Sequence, residues 1–324
     1  MAALIAGDVG GTKVLLRAFD SESNEVLAQK RYLSADYTSL SVLVSAFIEE
    51  FSITQVKAAC FGLPGPVQGR RAHLTNLPWL VDADFLVEHC QIEHVEILND
   101  FAAAAYGIDE LVEEDLLCLQ AGEYQSEGNR LVIGAGSGLG VAPVKNCGGV
   151  FVPQASEGGH MDFAPLTEDQ IELAAWMHKK WTHVSYERIL SGEGIETLYF
   201  FFNAKSHGHN RVNISGAADV HRMALAGDEI AIKTLDMFVE VYGAFIGNMA
   251  LIWGAKAGVY IAGGIAPKIL QWMQKPEFLE AAKAKGRMRP WVESMPIYLI
   301  TNEQLGLLGA VDRAKTLYRT LSLE

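Results

Sequence analysis

Apolar positions along this chain follow two patterns, short continuous runs and longer segments with a helical period. The runs are typical of buried strands, whereas the segment 39–51 repeats its apolar residues every three or four positions, as an amphipathic helix does. Strands that alternate with helices predict an α/β fold. Apart from the strands that flank two glycine turns, we predict strands at 25–32, 56–62, 95–98, 259–262 and 297–300. The predicted helices are 39–51, 84–90, 101–108, 217–226, 229–255 and 306–317.

Capping signals predict two further helices. Thr167 followed by Gln170 forms a capping box for a helix that runs to about Trp181. Ser185 is predicted to cap the next helix, which would place Glu187 in its first turn. The segment 200–213 is predicted to be a polar loop.

A glycine turn joins the first two apolar runs, which end at Ala6 and begin again at Val14. Gly10 and Gly11 allow main-chain N–H groups to approach a ligand closely, as a phosphate-binding turn requires. In a P-loop or a dinucleotide fold such glycines open a helix, but an apolar strand follows here. The turn is therefore predicted at the tip of a hairpin, and an ordinary hairpin turn remains the alternative on these residues alone.

The segment 131–141 repeats this design about 125 residues further along the chain. It has an apolar strand, a turn with Gly136, Ser137 and Gly138, and a second apolar strand. Two such hairpins predict a duplicated architecture in which the two turns face each other across a cleft.

Composition and charge narrow the class of protein. The chain has 324 residues, enough for two domains, and half of them are hydrophobic while only 20% are charged. These values predict a folded globular protein. The net charge of −13 argues against a nucleic-acid partner, because such binding depends on Lys and Arg that neutralise phosphates.

Cysteine spacing and hydropathy predict a cytoplasmic protein. The four cysteines lie far apart and form no C-x-x-C pair, which favours neither a disulfide framework nor a zinc site. Three of them sit in apolar runs, so we expect buried thiols in a reducing compartment. No basic segment precedes the first apolar run, so we expect no signal peptide. The uncharged stretch 241–255 is shorter than the roughly 20 residues of a membrane span, and its three glycines and Asn248 favour a closely packed core helix.

Six motifs occur in the order seen in bacterial glucokinases, and the chain resembles this family from its first strand to Leu307-Leu308-Gly309. The resemblance implies the two-domain α/β fold of the actin-like ATPases (ribonuclease H-like), with a sugar-binding cleft between the domains. It implies a small domain of residues 1–110 plus about 301–324 and a large domain of 111–300, and a probable homodimer. The motifs are Gly7-Asp8-Val9-Gly10-Gly11-Thr12, Leu98-Asn99-Asp100-Phe101, Gly134 to Gly140, Glu157-Gly158-Gly159-His160, Ser185-Tyr186-Glu187-Arg188 with Leu190-Ser191-Gly192, and Ile261-Ala262-Gly263-Gly264-Ile265.

The family resemblance implies an activity, the transfer of phosphate from ATP with Mg²⁺ to the 6-hydroxyl of D-glucose, giving glucose 6-phosphate and ADP. Such an enzyme mainly positions the groups and stabilises charge on the transferred phosphoryl. Asp8 is expected to order the water shell of the magnesium ion, and domain closure to exclude water. The residues expected to bind ATP are Gly7, Asp8, Val9, Gly10, Gly11, Thr12, Gly136, Ser137 and Gly138, with Gly263 and Gly264 beside the nucleoside.

Asp100 is the predicted general base, because a sugar hydroxyl is a poor nucleophile until its proton is removed. A helix N-cap is the alternative role for this residue, and the two roles can coexist. The residues expected to bind sugar hydroxyls are Asn99, Asp100, Glu157, His160 and Glu187, together with Asn76. For Glu187 the alternative is a charge at a helix N-terminus. His160 could instead bind a metal, but no cysteine cluster accompanies it and zinc is not expected.

Other activities remain open on the sequence. A kinase for mannose, fructose or an N-acetylated hexose would use the same fold and chemistry. A non-catalytic sugar sensor is the more distant alternative, and the acidic charge argues against its binding DNA.

Overall fold

The computed structural model of the chain describes residues 2–74, 76–208 and 213–321. They divide into two compact units. Unit 1 comprises the chain up to Glu113 together with the chain from Asn302, and unit 2 comprises Glu114–Thr301.

The described residues form fourteen strands and eleven α-helices. The strands are β1 Ala3–Val9, β2 Lys13–Asp20, β3 Val26–Leu33, β4 Val56–Leu63, β5 Val67–Gln68, β6 Arg71–His73, β7 Leu80–Asp82, β8 His94–Asn99, β9 Leu116–Gln120, β10 Arg130–Ala135, β11 Leu139–Cys147, β12 Val150–Pro153, β13 Val259–Ala262 and β14 Ile297–Ile300. The helices are α1 Leu40–Glu50, α2 Ala83–Cys90, α3 Asp100–Tyr106, α4 Glu168–Met177, α5 Gly192–His207, α6 Ala217–Leu225, α7 Glu229–Trp253, α8 Leu270–Met273, α9 Pro276–Lys283, α10 Arg289–Glu293 and α11 Leu305–Leu321.

Unit 1 is built on a five-stranded sheet in the order β3-β2-β1-β4-β8. The first three strands pair antiparallel, and β4 and β8 continue the sheet in parallel with β1. Because side chains alternate along a strand, β1 sends Ile5 to one face and Leu4 to the other. Ile5 packs in a core that includes α1 and α2, whereas Leu4 packs against Leu307 and Ala310 of α11. The sheet therefore has helices on both faces.

Unit 2 repeats this topology. Its six-stranded sheet has the order β12-β11-β10-β13-β14-β9, in which β10, β11 and β12 pair antiparallel and β13 and β14 follow in parallel. Every residue of β10 and β13 is buried, as expected for strands covered on both faces. The duplicated architecture predicted from the two glycine hairpins is confirmed at the level of sheet topology.

Helix α7 is the central helix of unit 2. It has the length and hydropathy of a membrane span, but 72% of its most apolar window is buried in the structure. A Cβ on Gly243 would lie 2.1 Å from the Phe278 carbonyl oxygen, and one on Gly247 equally close to that of Ala282. The glycines thus allow α9 to pack directly on α7, as the prediction of a core helix requires.

Three local predictions are wrong. The predicted loop 200–213 is helical as far as His207, because Phe201, Phe202 and Asn203 are buried on one face of α5; residues 209–212 lie outside the described residues. Helix α4 ends at Met177 rather than near Trp181. The residues after Ser185 form a three-residue 3₁₀ turn, and the Ser185 side chain makes no capping hydrogen bond.

Two further predictions need correction. Thr167 does accept the Gln170 N–H, but the Gln170 side chain bonds the N–H of Leu166 instead of completing the box. Of the four cysteines, Cys60 and Cys90 are buried whereas Cys118 and Cys147 are exposed. Met1, Thr75 and residues 322–324, all within the predicted small domain, lie outside the described residues.

Candidate active site

The first glycine turn lies at the tip of the β1–β2 hairpin. Its closing hydrogen bond runs from the Gly10 N–H to the Lys13 carbonyl over 2.8 Å. The Ser34 hydroxyl donates to the Gly10 carbonyl and fixes the turn from outside the hairpin. No hydrogen bond joins the N–H groups of Gly11 and Thr12 to any residue that the structure describes. Two successive donors are therefore available to a phosphate.

Asp8 precedes this turn, and its carboxylate makes no hydrogen bond or ion pair with the described residues. Burial raises its pKa to about 6, partly opposed by the positive charge of Arg31. A Cβ on Gly306, near the start of α11, would lie 3.1 Å from the Asp8 Oδ1. The glycine thus leaves space for the carboxylate. A hard cation with its water shell would stabilise the ionised form of Asp8, so the chemistry of this residue fits Mg²⁺.

Asn99 and Asp100 lie where β8 ends and α3 begins. The Asn99 Oδ1 accepts the N–H groups of Phe101 and Ala102, so Asn99 is the N-cap and Asp100 the first helical residue. The Asn99 Nδ2 donates to the Gly65 carbonyl and, over 3.0 Å, to the Asp100 Oδ1. The cap is therefore Asn99 and not Asp100, and the Asp100 Oδ1 is held by both the Asn99 amide and the N–H of Phe101 over 2.9 Å.

Parallel pairing brings these residues of unit 1 to one edge of its sheet. Asp8 of β1 pairs with Gly62 of β4, and the next residue of β4 pairs with Asn99 of β8. A Cβ on Gly11 would lie 2.8 Å from the Asn76 Cβ, so Asn76 packs against the first turn. The predicted residues Asp8, Gly11, Asn76, Asn99 and Asp100 are therefore neighbours in the fold, although the chain separates them.

The second glycine turn lies at the tip of the β10–β11 hairpin. The Gly136 N–H donates to the Gly138 carbonyl over 2.8 Å, and the Gly192 N–H donates to the Gly136 carbonyl. Again two successive N–H groups, those of Ser137 and Gly138, make no hydrogen bond with the described residues. The two hairpins thus present the same pair of donors, and each carries one hydroxyl side chain, Thr12 in the first and Ser137 in the second.

Three predicted sugar-binding residues stand beside the second turn. The His160 Nδ1 lies 3.8 Å from the Glu187 Oε1, and the His160 Nε2 lies 4.0 Å from the Glu157 Oε2. Their side chains retain 66% exposure for Glu157, 57% for His160 and 32% for Glu187. Carboxylates and an imidazole at these distances supply the donors and acceptors that a polyol requires.

One cavity of about 140 Å³ brings two of the predicted sugar-binding residues together with a residue of the second glycine turn. Ser137, His160 and Glu187 all line it. Trp181 and Arg188 line it as well, and the Arg188 guanidinium lies 4.8 Å from the centre of the Trp181 ring. Glu187 lies on the 3₁₀ turn, so the alternative of a charge at an α-helix N-terminus does not hold.

Gly263 and Gly264 follow β13, next to β10 in the sheet. Gly263 has a φ of +85°, and a Cβ there would lie 2.5 Å from the Ala135 carbonyl oxygen. The Ile265 N–H also reaches this oxygen. A Cβ on Gly264 would meet nothing within 4 Å, so open space adjoins the end of β10 at this glycine.

Sequence reasoning missed the residues that support the turns. Ser34, Gly192 and Gly306 have no chemistry that distinguishes them from other serines and glycines. Gly192 lies in the motif Leu190-Ser191-Gly192, but the motif alone did not indicate that its N–H bonds the second turn. Their contacts with the two turns and with Asp8 are visible only in the three-dimensional structure.

Comparison with known proteins agrees with this arrangement. The Glucokinase family model matches residues 5–317. A glucokinase of Nostoc punctiforme is 39% identical over 96% of this chain and 98% of its own length, and one of Trichormus variabilis is 37% identical with the same coverage. The crystal structure of a glucokinase from an Antarctic psychrotroph superposes with a TM-score of 0.85 at 29% identity, covering 98% of this chain and 99% of its own.

The two sheets of like topology, together with the match to glucokinases in sequence and structure, define a sugar kinase of the actin-like ATPase fold. This confirms the predicted α/β fold of the actin-like ATPases. Within that class, the chain belongs to the Glucokinase family, as the motifs predicted.

Proposed function

We propose that the protein catalyses the ATP-dependent phosphorylation of D-glucose at its 6-hydroxyl. The observation that carries the proposal is the single cavity lined by Ser137 of a phosphate turn and by His160 and Glu187. The cavity therefore contains both a group that can bind the phosphates of the donor and groups that can bind the hydroxyls of a sugar acceptor. Membership of the Glucokinase family supports the choice of glucose and ATP.

The two glycine turns would bind the phosphates of ATP. Each presents two adjacent N–H groups without partners in the described part of the chain, at Gly11 and Thr12 and at Ser137 and Gly138. Magnesium accompanies ATP as part of the substrate and neutralises charge on the phosphates. The Asp8 carboxylate would hold its water shell. Gly263 and Gly264 would let the nucleoside lie against the backbone.

Asp100 would act as general base. Its carboxylate takes the proton of the sugar 6-hydroxyl while the oxygen forms a bond to the γ-phosphorus, and the bond from that phosphorus to ADP breaks. The hydrogen bond from Asn99 holds the Asp100 Oδ1 in place for this transfer. Glu157, His160 and Glu187, with Asn76 and Asn99, would bind the remaining sugar hydroxyls.

The activity is tested by measuring ADP release from MgATP with glucose, mannose, fructose and N-acetylglucosamine, each against a sample without sugar. Turnover on glucose well above that on the other sugars is the expected result. Preference for another hexose would overturn the choice of substrate but not the chemistry. ADP release without any sugar, or none with folded protein, would overturn the proposed kinase activity.

The same family membership supports two further proposals. We propose that the enzyme acts in the cytoplasm and as a homodimer. Its mass in solution, measured by light scattering, would be twice the 35.3 kDa of the chain. A monomeric mass at working concentration would contradict the dimer.

A further inference from the structure

We propose that Gly138 and Leu139 of the second phosphate turn position Glu187 for the sugar, so that glucose and nucleotide bind cooperatively through unit 2. This inference rests on the proposed function, because it takes Glu187 as a sugar ligand. It assigns to the turn a role beyond phosphate binding.

The Glu187 carboxylate has two oxygens in different environments. Its Oε2 accepts the N–H of Leu139 over 2.9 Å, and its Oε1 lies 3.8 Å from the His160 Nδ1. A hydrogen bond between a carboxylate and a backbone N–H is among the stronger ones, because the acceptor is ionised. One oxygen is therefore held by the phosphate hairpin, and the other is left to face a sugar hydroxyl.

Gly138 provides the space that this bond needs. A Cβ at this position would lie 2.5 Å from the Glu187 Oε2. The atom that it would meet is the end of a flexible side chain, so an alanine would displace the carboxylate rather than prevent folding. Gly136 differs, because a Cβ there would meet nothing within 4 Å. Of these two glycines of the second turn, it is Gly138 whose added Cβ would meet a candidate sugar-binding residue.

The segment from Glu157 to His160, which carries two more candidate sugar ligands, also packs on this turn. A Cβ on Gly159, next to His160, would lie 2.0 Å from the Leu139 carbonyl oxygen, so the loop's backbone lies against Leu139. Leu139 is thus in contact with both segments that carry sugar ligands, through its N–H and through its carbonyl. Behind the turn, Gly192 donates to the Gly136 carbonyl.

These contacts make the two ligands depend on each other. Phosphates bound by the Ser137 and Gly138 N–H groups fix the backbone that carries the Leu139 N–H, and this N–H orients Glu187. A sugar that fixes Glu187 fixes the turn by the same contact. Linkage requires that the effect on the two affinities be equal.

The first test is the Kd of glucose by calorimetry, with and without MgADP, in the wild type, Gly138→Ala and Gly136→Ala. In the wild type, MgADP should tighten glucose binding by about fivefold or more, within the usual range of coupling. Gly138→Ala should abolish this coupling and raise the glucose KM by about tenfold or more, as loss of a hydrogen bond to a charged group predicts. Gly136→Ala should alter the KM for MgATP while the glucose KM stays within about twofold.

A second test needs no substrate. Hydrogen exchange of the Leu139 amide should be at least about tenfold faster in Glu187→Ala than in the wild type. Lys145→Ala, an exposed change on the same strand, is the control and should leave both this exchange and the activity unchanged.

The outcomes separate the inference from the proposed function. Equal exchange at Leu139 in the wild type and Glu187→Ala would overturn the inference. So would a Gly138→Ala enzyme whose only defect is in MgATP, or a wild type without coupling. A wild type that does not phosphorylate glucose would overturn the proposed function, and the exchange measurement would still decide whether Leu139 holds Glu187.

Discussion

The two glycine turns have the same design in sequence but are supported differently in the fold. The first is closed by its own hairpin and fixed by Ser34. Gly11 of this turn packs against Asn76, and Gly7 of the strand that leads into it packs against Phe61. The second accepts or donates hydrogen bonds with Glu187 and Gly192, which lie in or next to a candidate sugar-binding segment, while a Cβ on Gly136 would meet only open space.

The difference shows that a phosphate turn can be rigid for two reasons. The first turn is held by the core of its own sheet, so its geometry does not depend on a ligand. The second turn is held by the side chain of Glu187, which we propose also binds the acceptor, so we expect its geometry to depend on whether sugar is present. The carboxylate beside each turn differs in the same way. Asp8, next to the first turn, has no partner among the described residues, whereas Glu187 is hydrogen-bonded to the second turn.

The largest expected effect is on chemistry at the edge of the unit 1 sheet. Asp100→Asn should lower kcat by about 10²–10⁴-fold, because removal of a general base costs about this much. Glucose affinity should change little, since the amide keeps the shape of the side chain. Steady-state kinetics and calorimetry measure the two quantities. The exposed substitution Asp36→Asn is the control, and near-normal kcat in Asp100→Asn would remove this residue from the mechanism.

The second prediction compares Gly7, in the strand that leads into the first turn, with Gly136 of the second turn. Gly7→Ala should destabilise the protein by about 1–3 kcal/mol, because the added Cβ would lie 2.5 Å from the buried Phe61 ring. Gly136→Ala should leave the unfolding temperature close to that of the wild type, since its Cβ has no neighbour. Calorimetric unfolding distinguishes them. Equal unfolding temperatures for the two variants would contradict the proposed difference in packing.

A smaller effect is expected at the sugar site of unit 2. Glu157→Ala should raise the glucose KM by about tenfold, the cost of losing a hydrogen bond to a charged group, with little change in the KM for MgATP. Both constants come from the coupled ADP assay. Glu168→Ala removes an exposed carboxylate from the nearby α4 and serves as control. If Glu157→Ala left the glucose KM unchanged, Glu157 would not be a sugar ligand.

The smallest effect concerns the helix caps behind the two sites. Asn99→Ala should cost about 1 kcal/mol of stability through the lost cap of α3, and Ser191→Ala about the same through that of α5. Asn99→Asp keeps a capping oxygen but loses the donor to Asp100, so it should retain stability and lower kcat. Thermal unfolding and kinetics of the three variants test this. Normal kcat in Asn99→Asp would show that Asn99 does not orient Asp100.

Local pattern was enough to predict much of the fold. The glycine hairpins and the helices with a clear apolar period depend on nearby residues, and these elements appear where the sequence predicts them. The segment after Phe200, which we predicted to be a loop, does not follow its local pattern. Its polar end, with Lys205 and His207, resembles a loop, but burial of Phe201 and Phe202 extends α5 until Gly208, whose φ of +73° ends the helix.

The site was predictable only as a set of separate motifs. The motifs gave the identities of Asp8, Asp100 and Glu187, because their residue types match the chemistry of a sugar kinase. The contacts that give these residues their environments join distant parts of the chain, such as Gly306 beside Asp8 or the Leu139 N–H on Glu187. No local spacing encodes such contacts.

The position of α11 also has a consequence for synthesis on the ribosome. This helix covers Leu4, Ala6 and Cys60 on one face of the unit 1 sheet, yet all of unit 2 is translated between that sheet and the helix. At about 5–20 residues per second, the face stays uncovered for roughly 10 to 40 seconds. Unit 2 is continuous in the chain and can fold during this time. The nascent sheet of unit 1 thus keeps an apolar face exposed to solvent until the last helix emerges.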